Sequence, residues 1–159
     1  AWYSRRLVNH RRGEARIAPR ERKRQSRVMT TIDKSIILRL IAQEQAEFAA
    51  ARVQGDRARA WQALEAIHIL AQPFLVPHWS SHIAMLRFSL EERDWREVCG
   101  QLLRLAFVPL GNATGRLPVG NHGRARVNPF APMPIPEHIE LRLLNASATL
   151  PGQPSPVID

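Results

Sequence analysis

From Ser35 to Val53 the apolar residues Ile37, Leu40, Ile41, Phe48 and Ala51 recur at three- and four-residue spacing, with Glu44 in the same stripe. Arg39, Gln43, Gln45 and Arg52 fall on other faces, so the spacing predicts a helix over 35–53. Gln54-Gly55-Asp56 then supplies a glycine to stop that helix and an aspartate to cap the next. A second helix, 57–71, places Trp61, Leu64, Glu65, His68 and Ala71 on one stripe, and Ala63, Ile67 and Leu70 on an adjoining one. An apolar surface that wide implies packing on two sides, which puts Glu65 and His68 within or beside buried surface.

Pro73 and Pro77 interrupt the pattern, and Pro77 suits the first turn of a third helix running to about Glu91. Its apolar stripe is Trp79, Ile83, Leu86 and Leu90, with His78, His82 and Met85 alongside. Glu91-Glu92-Arg93-Asp94 reads as a turn. Trp95, Val98, Cys99, Leu102, Leu105 and Ala106 predict a fourth helix ending before Pro109, with Glu97, Gln101 and Arg104 on a polar face expected to be solvated. Trp61, Trp79 and Trp95 all fit helix stripes and are expected in the core, and Gly100 permits close approach by another helix.

Beyond Pro109 the glycines and prolines of 111–136 lack helical period, and Pro136 is placed to begin a last short helix through Ile139, Leu141 and Leu144. Gly55-Asp56 and Arg93-Asp94 open corresponding helices, with Leu64 and Leu102 at the same separation from each aspartate. The expected fold is all-α: two antiparallel helical hairpins in a four-helix, tetratricopeptide-like array, with an irregular Gly/Pro-rich C-terminal segment.

Charge changes the picture only at one end. The net charge of +9 suggests nucleic acid until it is divided: residues 1–28 hold ten Lys/Arg against Glu14 and Glu21, and residues 29–159 hold thirteen against twelve acids. The first part is a basic arm expected to be disordered, because it has too little apolar surface to offset the entropy of ordering. Nucleic-acid binding rests on that arm alone and requires it to be native, whereas the simpler expectation is that Met29 is the natural start and residues 1–28 are not part of the native protein. The expected organisation is an arm over 1–28, one helical domain over 29–145 and a disordered tail over 146–159. Cys99 alone excludes an intramolecular disulfide, and its apolar neighbours favour a buried thiol in a reducing compartment. With no apolar run long enough to span a bilayer and no secretory segment, a cytoplasmic location is expected.

Three of the six histidines fall within fifteen positions. Glu65 and His68 lie one turn apart on the second helix, and His78 and His82 one turn apart on the third. Imidazoles at i and i+4 can share a metal ion, and Glu-x-x-His sets a carboxylate and an imidazole on one face. Glu65, His68, His78 and His82 therefore form a candidate divalent-metal site, tetrahedral zinc if these four suffice. Iron or manganese suits better if Glu44 or Glu47 joins them. The competing class is a non-catalytic protein-interaction module in which the histidines are structural. The chain lacks the metalloprotease spacing, a phosphate loop ending in Gly-Lys-Ser/Thr and a Gly-x-Ser-x-Gly elbow, so no reaction is assigned.

Several strings occur in an order that resembles the bacterial family called domain of unknown function 3703. They are Leu64-Glu65-x-x-His68-Ile-Leu-x-Gln72, Pro77-His78-x-x-x-His82-x-x-Met85-Leu86 and Arg93-Asp94-x-Arg96-Glu97-x-x-Gly100-Gln101-Leu-Leu-Arg104. Pro118-Val-Gly120-Asn121-x-Gly123 and Ala131-Pro-Met-Pro-Ile-Pro136 complete the set. The resemblance spans about 47–139. It implies a small, cytoplasmic, helical protein and places weight on Glu65, His68, His78, His82 and the Gly-Asn-x-Gly loop, without implying an activity. His122 stands where the family is expected to carry threonine, and the basic arm lies outside the resemblance.

Overall fold

A computed structural model describes residues 18–114 and 118–148. They form six α-helices: α1 (Pro19–Thr31), α2 (Lys34–Val53), α3 (Arg57–Ala71), α4 (Leu75–Glu91), α5 (Trp95–Thr114) and α6 (Glu137–Ala148). No strand occurs among the described residues. Consecutive helices pack on one another, α2 on α3, α3 on α4 and α4 on α5, and α6 lies against α2.

The turns follow from local chemistry. Asp33 caps α2 by accepting from the Ser35 N–H at 2.6 Å, and Asp56 caps α3 by accepting from the Arg59 N–H at 3.0 Å. Helix α3 is central: from Ala63 to Ala71 every residue but Glu65 is buried. One core joins Ile36, Ile37, Leu40 and Ile41 of α2, Leu64, Ile67 and Leu70 of α3, and Met85 and Phe88 of α4. Ile135, Ile139 and Leu143 close it from the C-terminal side. Phe48, Phe88 and Trp61 stack along one edge, with centroid separations of 5.4 and 5.0 Å.

Several sequence expectations are corrected. Of the basic segment, the described part from Pro19 lies in α1, where Arg24 pairs with Glu21 and reaches Glu140 at 2.6 Å, and buried Gln25 accepts from the Ile135 N–H. Residues 1–17, the rest of the arm, lie outside the described residues, as do 149–159 of the tail. Helix α4 begins at Leu75, two residues before Pro77, which sits in the first turn where no intrahelical donor is needed. Helix α5 runs through Pro109 to Thr114, losing at most one ladder bond there.

The largest correction concerns which faces turn inward. In α4 the buried residues are His78, Ser81, His82, Met85, Phe88 and Ser89, while Trp79 and Leu90 are exposed. In α5 Glu97, Val98, Gln101, Arg104 and Val108 are buried, and Trp95 is 65% exposed. Cys99 is exposed as well. Large apolar residues mark the outer surface of this pair of helices, and its inner surface mixes polar residues with Met85, Phe88, Val98 and Val108.

Candidate metal centre

His68 stands in the last turn of α3, and His78 and His82 occupy successive turns of α4. All three are buried, and their candidate ligand atoms lie within 4.8 Å of one another. The His68 Nε2 is 3.2 Å from the His82 Nε2 and 3.1 Å from the His78 Nε2.

The opposite ring nitrogens decide what these short separations mean. The His68 Nδ1 lies 2.9 Å from the Asn121 carbonyl oxygen, which only accepts, so Nδ1 carries the hydrogen and Nε2 a lone pair. The His82 Nδ1 lies 2.7 Å from the Gln101 Oε1. Gln101 is oriented by its own amide, whose Nε2 donates to the Glu97 Oε1 at 2.7 Å and the Gly123 carbonyl at 2.9 Å. Its oxygen therefore faces His82, and His82 also donates from Nδ1. Two lone pairs consequently face each other across 3.2 Å, an arrangement with no hydrogen to share. Metal–imidazole bonds of about 2.0–2.1 Å in a tetrahedron set ligand nitrogens about 3.3 Å apart, close to the separations seen here.

A proton is a poor substitute for a cation at this point. Burial holds the His68 imidazole well below the ordinary histidine range, aided by His82 and His78. Burial likewise pushes His82 down to about 3, against the opposing hydrogen bond to Gln101. Both rings are neutral near pH 7.

The irregular segment 118–136 holds this arrangement in place. Besides receiving the His68 hydrogen bond, the Asn121 carbonyl accepts from the Gln72 Nε2 at 2.9 Å, and the Gln72 Oε1 accepts from the Gly120 N–H at 3.1 Å. The Asn121 side chain donates to the Asn128 and Ala131 carbonyls and accepts from the Gly123 N–H. Gly123 has φ +80°, and a Cβ there would stand 2.9 Å from the His68 ring, so both backbone shape and space exclude a side chain. On the other side Gly100 lets Ala125 approach α5: a Cβ at Gly100 would meet the Ala125 Cβ at 2.3 Å. The neighbour Gly100 admits is thus this loop, not a helix.

Arg124 is the loop's buried cation. Its guanidinium lies 3.6 Å from the centre of the Trp61 ring and within 3.1 Å of both Glu65 and Glu97. Glu65 is thereby turned to Arg124, outside the three histidines that the fold brings together. Glu44 pairs with Arg142 and Glu47 with Arg59, so neither approaches the cluster. His122 is half-buried and His138 exposed, both outside the group.

Glu97, Gln101 and Arg104 are the residues that sequence reasoning left in solvent. They are buried: Gln101 orients His82, the Glu97 carboxylate accepts from the Ala125 N–H, and Arg104 donates to the Arg124 and Val127 carbonyls. Their spacing, 97-101-104 with Val108 next, is that of a single helix face, and it was the available signal.

A cleft of about 50 Å³ opens beside the histidines. His68, His78, His82, Arg104, Phe107 and Phe130 are among the residues that line it. No curated protein and no solved structure matches the chain. A family model described as "Protein of unknown function (DUF3703)" matches residues 36–143, which contain every residue of the cluster and its supports, and the chain belongs to that family.

Proposed function

We propose that this protein binds a divalent metal ion through the Nε2 atoms of His68, His78 and His82. The observation that carries the reading is the pair of lone-pair nitrogens of His68 and His82, 3.2 Å apart and each fixed from behind by a carbonyl acceptor. Histidines that ligate metals are oriented by this kind of bond to the remote ring nitrogen. An imidazole donor set suits zinc better than manganese, which prefers carboxylates, and Glu65, Glu44 and Glu47 are engaged by arginines. The reading therefore keeps the three histidines and leaves Glu65 as a support of the loop. A reducing, cytoplasmic setting fits the exposed thiol of Cys99. No helix among the described residues is long and apolar enough to cross a membrane.

The test is metal content of the purified full chain after incubation with zinc and removal of excess. One equivalent is expected for the unmodified protein, and none for His78→Ala combined with His82→Ala. Absence of stoichiometric zinc, iron or manganese from the folded, unmodified protein refutes the reading.

A second reading, a tetratricopeptide-like array of antiparallel helical pairs serving as a protein-interaction module, is favoured by the outward apolar residues of α5. Trp95, Leu102, Leu103 and Phe107 are all exposed. Light scattering over a concentration series tests whether this face docks a second copy. Association that Trp95→Glu with Leu102→Glu weakens supports the reading, and a constant monomer mass counts against it.

A further inference from the structure

We infer that the metal centre takes a small anion of the carboxylate or carbonate class, held between the ion and the guanidinium of Arg104 in the cleft beside the histidines. This rests on the metal-binding reading above. Three protein nitrogens leave a tetrahedral ion one position short, and the free space beside all three histidines is this cleft. Its volume of about 50 Å³ accommodates a ligand of a few heavy atoms.

The charges around the cleft select the sign of that ligand. The three imidazoles are neutral ligands and cancel none of a divalent ion's charge. Glu65 and Glu97 both pair with Arg124, and those two carboxylates together balance Arg124 and Arg104. A divalent ion thus leaves two positive charges uncompensated in a buried setting, which strongly favours capture of an anion.

Arg104 supplies the second contact. It is only 5% exposed, and its hydrogen-bond partners are neutral, the Gly100, Arg124 and Val127 carbonyls, with the Glu97 carboxylate acting on it only through space. No described carboxylate lies within ion-pair distance of it, and those carbonyls take three of its five N–H groups. A planar oxyanion matches a guanidinium's fork of donors, so one oxygen on the metal and another on Arg104 is the natural mode. Phe107 and Phe130, with ring centroids 5.7 Å apart and both partly open to solvent, supply apolar surface in the same cleft.

The experiment loads the full chain with cobalt(II), whose visible spectrum reports its coordination, and titrates acetate, bicarbonate and, as a neutral isostere, acetamide. Saturable spectral change with acetate or bicarbonate and none with acetamide is expected. Arg104→Gln should raise the half-saturating acetate concentration at least tenfold with cobalt stoichiometry unchanged, and Arg104→Lys should raise it less. Bound cobalt whose spectrum ignores every anion, or responds equally to acetate and acetamide, overturns the inference while leaving the metal reading intact. An equal acetate response in a folded Arg104→Gln protein overturns it too. If that variant fails to fold, the acetate–acetamide contrast in the unmodified protein decides. Failure to bind cobalt at all overturns both.

Discussion

Helices α2 and α3 bury mainly apolar side chains, whereas α4 and α5 bury polar side chains beside a few apolar ones, Met85, Phe88, Val98 and Val108, and expose several large apolar residues. In the first pair Ile36, Ile37, Leu40, Leu64, Ile67 and Leu70 face inward, and the buried side chains with polar atoms are few: Glu44, the Trp61 indole and the histidine end of α3. In the second pair His78, Ser81, His82, Glu97, Gln101 and Arg104 face inward, and Trp95, Leu102 and Leu103 face out. Burying polar groups lowers stability unless each is hydrogen-bonded, and here the loop 118–136 bonds to Glu97, Gln101 and Arg104 of α5, while Gln101 in turn holds His82 of α4. The difference teaches that the first pair carries most of the apolar core, and that the site is built where the C-terminal end of α3, with His68, meets the second pair, with the loop as the element that makes the buried polar face of α5 tolerable.

Acid should break this comparison most severely. His68 and His82 are depressed in the fold and ordinary in the unfolded chain, so below about pH 6.5 the unfolded state binds more protons. Stability of the metal-free protein is therefore complete above that pH and falls progressively toward pH 3. At about 1.4 kcal/mol per unit of depression the loss reaches several kcal/mol. Denaturant melts at stepped pH check this, and replacing both His68 and His82 by glutamine should flatten the dependence.

Leu64→Ala attacks the apolar pair. Leu64 is fully buried, and the change should cost about 2–5 kcal/mol in chemical denaturation. Zinc stoichiometry of the folded fraction should not change. A smaller stability effect is expected from Gln101→Leu, which removes the acceptor behind His82, but zinc affinity should fall about 10–100-fold in competition with a chromophoric chelator. If instead Leu64→Ala abolishes zinc binding or Gln101→Leu leaves it untouched, the division of labour between the two pairs is wrong. Least of all should follow from Trp95→Ser, within about 0.5 kcal/mol, because that side chain is mostly exposed despite its place on an apolar stripe.

The apolar pair was legible in the sequence almost residue by residue. Helix α3 has the expected bounds and α2 starts within a residue of them, because Asp33, Gly55 and Asp56 act locally and the apolar period agrees with burial. The convergence of His68, His78 and His82 was legible as spacing on two successive helices. What was hidden depends on partners distant in sequence. Glu97 and Gln101 look solvated until Ala125 and Gly123 arrive 28 and 22 residues later, and Glu65 looks like a ligand until Arg124 claims it from 59 residues away. Hydropathy read along α4 and α5 missed the polar inner face for the same reason: that of α5 is satisfied by hydrogen bonds from a loop without periodicity, and His78 and His82 of α4 meet His68 and Gln101 on other helices.

The most direct measurement is the X-ray absorption spectrum at the zinc edge of the stoichiometrically loaded full chain. Three imidazole nitrogens at about 2.0–2.1 Å, with a light atom as the remaining ligand, are expected. A coordination sphere with fewer than three imidazoles, or one containing sulfur, would contradict the assignment of His68, His78 and His82.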